Sequence, residues 1–177
     1  MRMMLPAVLG AAMFVASVPA SAHPADGALN HLYETIAAGV SVNSGEQVTG
    51  AFASDAMVLD ARPGAPAGGE AFRAGMARMA ERLKADGVEV KADYRIVRRM
   101  VSGDVAVDVG YRRQSMAVTK PGGPMPGTQY QKFLVVAQRQ ADGGWKIVRD
   151  ASLPASKEAW DAAERTEGLK YDLWAGG

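Results

Sequence analysis

Apolar residues in the first half of the chain recur at the three- and four-residue spacing of helices. Such a stripe predicts a first helix from Asp26, which is a plausible N-cap. Ser44, followed three residues later by Gln47, has capping-box spacing and predicts a second, shorter helix. A further stripe predicts a third helix over 70–84, ended by Gly87. The members of that stripe are Phe72, Met76, Met79, Ala80 and Leu83.

The second half alternates apolar and polar residues, as half-buried strands do. Residues 88–96 and 105–111 each alternate at period two, on either side of a Ser-Gly-Asp turn at 102–104. The stretch 128–152 holds two more apolar runs around consecutive glycines, which is a strong hairpin signal. The second half therefore predicts a meander of four long antiparallel strands.

The remaining segments are short. Residues 55–60 are predicted as a strand, 61–69 as a Pro/Gly-rich loop, and 157–166 as a polar helical segment carrying Trp160. Helices followed by a meander of strands indicate the α+β class, since a parallel α/β sheet would need alternating elements.

Residues 1–22 have the features of a signal peptide. Arg2 gives a positive start, an uncharged apolar run follows, and Ala20-Ser21-Ala22 is a small-residue cleavage site. The alternative, a membrane anchor, is disfavoured because the run is shorter than the roughly 20 residues that a spanning helix needs. The sequence predicts a mature chain from His23 that is periplasmic or secreted.

Composition excludes several function classes. The chain has 20 Lys and Arg against 19 Asp and Glu, so its charge gives no reason to expect nucleic acid as a partner. The absence of cysteine excludes a thiol nucleophile and a disulfide framework. A mature N-terminal His23 could chelate copper, but a copper brace needs a second histidine, and only His31 remains. No metal and no cofactor is predicted.

Three stretches together resemble a known family. They are 52–60, the Gly-Glu-Ala-Phe-Arg start of the third helix at 69–73, and the Asp-Gly-Gly-Trp run at 142–150. Their order and spacing resemble the SnoaL-like branch of the nuclear-transport-factor-two-like superfamily. The resemblance implies a cystatin-like cone over 23–155, in which a strongly curved antiparallel sheet wraps the helices around a mostly apolar pocket, with an extra helix and tail over 156–177.

The resemblance bears most directly on Asp60. In ketosteroid isomerases of this superfamily, the general-base aspartate ends a strand written Asp-Ala-x-Val-x-Asp, and residues 55–60 match that string. Asp60 is therefore the candidate catalytic base. Alternatively, it orders the following loop through side-chain-to-backbone bonds. The rest of that enzyme's constellation is not matched, because the donor position near Val135 is apolar and Tyr33 is in poor register.

Other polar residues are candidates for the pocket. Asp108, inside an apolar strand, is either a pocket acid, with Arg112 on the same face, or a residue of the solvated convex face. Asp150 either points into the pocket or ends its strand. Three tyrosines could line the pocket or belong to the core. They are Tyr33, Tyr111 and Tyr130.

Two functions remain open, because the superfamily holds isomerases, dehydratases and non-catalytic modules. The first is an exported protein that binds a small, mostly apolar molecule, with isomerase- or lyase-type acid–base chemistry at Asp60. The second is a non-catalytic module that forms a homodimer through its sheet or docks another protein. An open cavity favours the first function. A cavity filled by Met57, Met76, Met79 and Phe133 favours the second.

Overall fold

The computed structural model describes residues 23–59, 66–120 and 126–172. The predicted signal peptide and Asp60 therefore lie outside the described residues. No helix within these ranges is long and apolar enough to cross a membrane. In chain order the elements are α1 (Asp26–Ser41), α2 (Gly45–Gly50), β1 (Phe52–Leu59), β2 (Ala67–Gly68), α3 (Gly69–Asp86), β3 (Val88–Ser102), β4 (Val105–Val118), β5 (Gly127–Arg139), β6 (Trp145–Pro154) and α4 (Lys157–Asp161).

The six strands form one sheet in the order β2-β1-β6-β5-β4-β3. The predicted antiparallel meander is confirmed for β3 to β6, but β1 pairs in parallel with β6, so the sheet is mixed. A parallel neighbour is possible because α3 and the meander separate β1 from β6 along the chain. The register shifts once between β3 and β4, at Ile96–Arg98, and once between β5 and β6, at Val136–Ala137. Such irregularities bend and twist a sheet locally.

Local sequence signals explain most element boundaries. The Ser44 hydroxyl accepts a hydrogen bond from the Gln47 amide at 3.2 Å, as the capping box predicts. Gly87 ends α3 with a φ of +65°, which glycine adopts without steric cost. Asp26 is not the N-cap of α1, because Ala25 occupies that position and the Asp26 carboxylate is engaged elsewhere.

Several predicted boundaries differ from the structure. Strands β3 and β4 continue to Ser102 and Val118, beyond the predicted ends at 96 and 111, and β1 begins at Phe52, three residues earlier than predicted. The C-terminal helix ends at Asp161, five residues earlier than predicted. Ser156 caps its start, and Trp160 is its buried residue. The two-residue strand β2 lies at the end of the predicted loop over 61–69.

On β4, the inner face carries short side chains and the outer face carries valines. Ala106, Asp108 and Gly110 face the core, while Val105 and Val109 lie on the outer face at 41% and 38% exposure. The inner face has little room, because a Cβ on Gly110 would lie 2.3 Å from the Arg95 carbonyl oxygen and 2.9 Å from the Phe133 ring. Helix α1 supplies the apolar volume there instead, through Leu29, Leu32, Tyr33 and Ile36.

The C-terminal segment packs against the outer face of the sheet. Trp160 of α4 is only 1% exposed, and the Arg95 guanidinium lies 4.3 Å from its ring centroid. Arg95 also donates to the Trp160 carbonyl and to both carboxylate oxygens of Asp172. Cation–π contact and charge-assisted hydrogen bonds therefore hold this segment to the sheet.

Candidate functional site

A cavity of about 190 Å³ lies between the helices and one end of the sheet and is partly open to solvent. Helix α3 forms one wall of the cavity, because most residues of its apolar stripe face the cavity. Ala80 is the buried residue of α3, while Met79 is 44% exposed. The lining residues are Gly39, Val40, Asn43, Ser44, Gly45, Val48, Met76, Met79, Ala80, Leu83, Val90, Gln114, Met116 and Gln129.

The two sides of the cavity differ in chemistry. The helix side is mostly apolar, with Met76, Leu83 and Val48, and has Asn43 and Ser44 at its α1–α2 turn. The sheet side carries Val90 and Met116 together with the amides of Gln114 and Gln129. These two glutamines are directly paired across β4 and β5. Amide side chains can both donate and accept hydrogen bonds. The cavity can therefore hold an apolar body and orient one polar group toward the sheet.

A chain of polar side chains continues from the glutamines into the sheet interior. The next inward pair of β4 and β5 is Arg112 with Gln131, and the Arg112 Nε donates to the Gln131 Oε1 at 2.9 Å. Arg112 Nη2 also donates to the Ser152 hydroxyl at 3.3 Å. That hydroxyl in turn donates to Asp150 Oδ1 at 2.9 Å. Arg112 and Asp150 are thus joined through Ser152 within the sheet's inner face.

Tyr94 lies beside this polar chain and is paired with Arg112 across β3 and β4. Burial raises the pKa of the Tyr94 hydroxyl, and the positive charge of Arg112 opposes that rise. Tyr94 therefore stays neutral, with its ring in the core.

A second polar group, the ionic cluster of Asp26, Arg99 and Asp108, lies at the other end of the inner face. Arg99 Nε and Nη2 donate to the two Asp108 oxygens at 2.7 and 2.8 Å, which is a bidentate pair. Arg99 Nη1 donates to Asp26 Oδ1 at 3.1 Å. The Tyr33 hydroxyl donates to Asp108 Oδ2 at 2.8 Å. Burial, and then the Asp108 charge, raise the Tyr33 pKa well above its ordinary value.

Three aromatic rings in mutual contact pack beside the ionic cluster. The Tyr33 ring centroid lies 5.1 Å from that of Tyr94 and 5.8 Å from that of Phe133. Along β4, the nearest cavity residue, Gln114, is six positions from Asp108, which is roughly 20 Å of strand. The ionic cluster is therefore a feature of the core and lies apart from the cavity, which is partly open to solvent.

No family model and no curated protein matches the chain. Among solved structures, a scytalone dehydratase-like protein from Novosphingobium aromaticivorans matches at a TM-score of 0.61 and 18% identity, over 73% of this chain and 83% of the other. A ketosteroid isomerase-like protein from Erwinia carotovora atroseptica matches at 0.58 and 13%, over 75% and 98%. An NTF2-like protein with a cystatin-like fold from N. aromaticivorans matches at 0.55 and 18%, over 78% and 88%.

This chain has the nuclear-transport-factor-two-like, cystatin-like fold. The fold expected from the sequence resemblance is thereby confirmed. At these identities the likeness concerns the fold alone. The helices pack on the inner face of the sheet, and the cavity lies between them and the strand ends.

The cone fold places the predicted site residues on both faces of the sheet. Tyr33, Asp108 and Asp150 are buried on the inner face. Tyr111 and Tyr130 lie on the outer face, where the Tyr130 ring centroid is 6.1 Å from that of Trp160. None of these five residues lines the cavity. The role of Asp60 as catalytic base stays a prediction. Within the described ranges, no group of three or more His, Asp or Glu side chains could hold a metal ion.

Arg99 was missed at the sequence level, although a signal for it exists. The predicted turn begins at residue 102, which pairs with residue 105, so continuing the hairpin register places residue 99 opposite Asp108. That register identifies Arg99, and not Arg112, as the partner of the buried carboxylate. No comparable signal marks Gln114 and Gln129, because polar residues near strand ends are usually solvated.

Proposed function

We propose that this protein binds a small, mostly apolar molecule in the cavity between α3 and the sheet. The observation that carries the proposal is a partly open cavity of about 190 Å³ with a mostly apolar lining and two amides on the sheet side. For scale, an engineered apolar cavity of about 150 Å³ binds benzene. Met76 and Met79 line the cavity without filling it, and Phe133 packs in the core. The cavity is therefore open, which favours ligand binding over the filled-cavity alternative.

The chemistry of the cavity defines a ligand class. An apolar ring system would pack against Met76, Leu83 and Val48, and burial of that surface would supply most of the affinity. One hydroxyl or carbonyl group would bond to the amides of Gln114 or Gln129. The class is therefore a molecule of one or two rings that carries a single hydrogen-bonding group. Native mass spectrometry of the exported protein, with the bound mass released on denaturation, tests whether such a molecule co-purifies.

Filling the cavity should abolish this binding. Ala80→Leu adds three carbon atoms to the cavity wall without adding a charge, and we expect it to weaken binding of 2-naphthol at least about tenfold. Fluorescence titration measures the affinity. Ala74→Leu is the matched control, because Ala74 is exposed on the same helix and does not line the cavity. Equal affinities for Ala80→Leu and the wild type would place the ligand elsewhere.

The proposal extends to isomerase- or lyase-type acid–base chemistry at Asp60. Two observations support it. Strand β1 ends at Leu59, directly before this residue, and residues 55–60 match the string that carries the base in ketosteroid isomerases. A carboxylate near an apolar pocket is suited to remove a proton next to a carbonyl group.

If Asp60 is a base, Asp60→Asn should lower turnover of a ligand identified by co-purification by about a hundredfold or more. Binding of that ligand in the cavity should change little. Deuterium uptake into the ligand, followed by mass spectrometry, measures the proton transfer. Asp55→Asn is the control, since Asp55 begins the same string and is exposed. Equal uptake with Asp60→Asn and wild type would leave a binding protein without catalysis at Asp60.

A second function, dimerisation through the sheet, is favoured by the outer face. Its strands expose a patch of large apolar side chains where α4 does not cover them, and Val109 and Leu134 are direct neighbours across β4 and β5. A second copy of this chain fits such a patch, because a two-fold interface joins the same surface of both subunits. The exposed members of the patch are Met100, Val105, Val109, Leu134 and Leu153.

Leu134→Glu should convert the dimer to monomer, since it would place two carboxylates at the centre of the interface. Sedimentation velocity at micromolar concentration measures the change. Val42→Glu is the control, because Val42 is an exposed apolar residue between α1 and α2, away from the sheet. A wild-type protein that is monomeric at these concentrations would rule out the dimer.

A further inference from the structure

The ionic cluster contains an unequal number of charges. Asp26 and Asp108 contribute two carboxylates, and Arg99 contributes one guanidinium whose side chain is 3% exposed. The Tyr33 hydroxyl that bonds Asp108 is neutral, and the nearby Asp150 bonds Ser152. Buried charges are stable when they are paired and hydrogen-bonded. The side chains of this cluster therefore leave one negative charge for another group to balance.

The group that reaches the cluster is the backbone nitrogen of His23. It donates to Asp26 Oδ2 at 2.6 Å. The chain curls back at this point, because the Asp26 amide donates to the His23 carbonyl at 2.8 Å. The His23 Nδ1 accepts from the Ala25 amide at 3.1 Å, so the ring is engaged as well. The nitrogen and the ring atom that a copper chelate would use thus both have partners.

We propose that cleavage of the Ala22–His23 bond completes the ionic cluster by turning the His23 nitrogen into its second positive charge. A processing peptidase supplies the reaction. Water adds a hydroxyl group to the Ala22 carbonyl carbon and a proton to the His23 nitrogen, and the released amine takes one further proton from solvent. An α-amino group has an ordinary pKa of about 7.7–8.0, so it is mostly charged at neutral pH. The two positive and two negative charges then cancel. The inference depends on the predicted cleavage site and not on the ligand proposal.

The consequence is a fold that gains stability when it is processed. Before cleavage, the Asp26 carboxylate accepts a hydrogen bond from a neutral amide. After cleavage it accepts one from an ammonium, which adds the Coulomb attraction between two opposite charges to the hydrogen bond. Arg99 of β3 bonds both Asp26 of α1 and Asp108 of β4. The new charge on the His23 nitrogen therefore strengthens a cluster that joins α1 to the β3–β4 hairpin. Processing would thereby tighten the contact of the first helix with the sheet.

The test compares the mature chain 23–177 with a chain that keeps Ser21 and Ala22, after intact mass has fixed both N-termini. In urea at pH 7, we expect the unfolding equilibrium constant of the mature chain to be at least about tenfold smaller. In the Asp26→Asn background this difference should vanish, whereas in the control Asp86→Asn background, on the exposed end of α3, it should persist. Equal stability of the two chains, or a difference that survives Asp26→Asn, would overturn the proposal.

A second readout requires no substitution. The α-amine of the folded mature chain should react with acetic anhydride at pH 7 at least about tenfold more slowly than the amine of a peptide that begins at His23, because the ion pair keeps it protonated and shielded. Peptide mass mapping separates this amine from the lysines. Equal rates would contradict the ion pair, as would an exported protein whose N-terminus is not His23.

Discussion

Replacing Arg99 with methionine is expected to lower the free energy of unfolding by roughly 3–5 kcal/mol. The substitution removes the guanidinium that bonds both Asp26 and Asp108 and leaves two carboxylates close together without that partner. Methionine retains much of the apolar length of the side chain, so the loss reports mainly on charge. Urea denaturation followed by circular dichroism measures it.

Arg82→Met is the matched control for that measurement. The Arg82 side chain is 84% exposed and forms one surface pair with Asp86, so we expect a change within about 0.5 kcal/mol. A similar small loss for Arg99→Met would mean that the ionic cluster is hydrated and contributes little to the fold.

Trp160→Ala is expected to cost roughly 3–5 kcal/mol. The indole is fully buried between α4 and the outer face of the sheet, and two guanidinium groups contact it: Arg95 lies 4.3 Å and Arg113 5.1 Å from its ring centroid. Removing the ring leaves a cavity and frees the segment that carries Asp172. The thermal unfolding midpoint and the urea transition should both fall.

Lys157→Ala on the same helix is the control, because solvent screens the exposed pair of Lys157 with Asp161 and little stability is lost with it. If the two substitutions had the same effect, α4 would be a loosely attached appendage. The stability of the cone would then come from α1 to α3 and the sheet alone.

The elements could be predicted from the sequence wherever one local rule governs them. Ser44 and Gln47 fix the start of α2 through a single hydrogen bond. Gly87 and Gly143 adopt positive φ values of 65° and 84°, as their turns require. These features depend on neighbouring residues only, and the same holds for the alternation that predicts β3 and β4.

The face of β4 that enters the core could not be predicted in this way. Alternation shows that Val109 and Asp108 lie on opposite faces, but not which face is inside. Asp108 can lie inside and Val109 outside for two reasons. Tyr33 fills the space beside Asp108 and donates a hydrogen bond to it, and Arg99 balances the Asp108 charge. Both partners come from other elements, so the outcome is a tertiary effect.

The cavity could not be predicted for a related reason. The apolar stripe of α3, with Met76, Met79 and Leu83, indicates a side that avoids water, but it does not show whether the sheet fills the facing space. Gly45 allows α2 to approach α3 closely, since a Cβ there would lie 2.7 Å from the Met76 carbonyl group. The depth of the cavity follows from how these helices rest on the sheet.

Binding of a small apolar molecule in this cavity is tested most directly by the methionine methyl groups. Met76, Met79 and Met116 line the cavity, whereas Met100 is exposed elsewhere, on the last part of β3. Proton–carbon spectra of methyl-labelled protein, titrated with 2-naphthol, follow each group separately. We predict saturable shifts of the three cavity methyl signals and none for Met100. Shifts of Met100 of the same size, or no shift of the cavity signals at saturating 2-naphthol, would contradict the account.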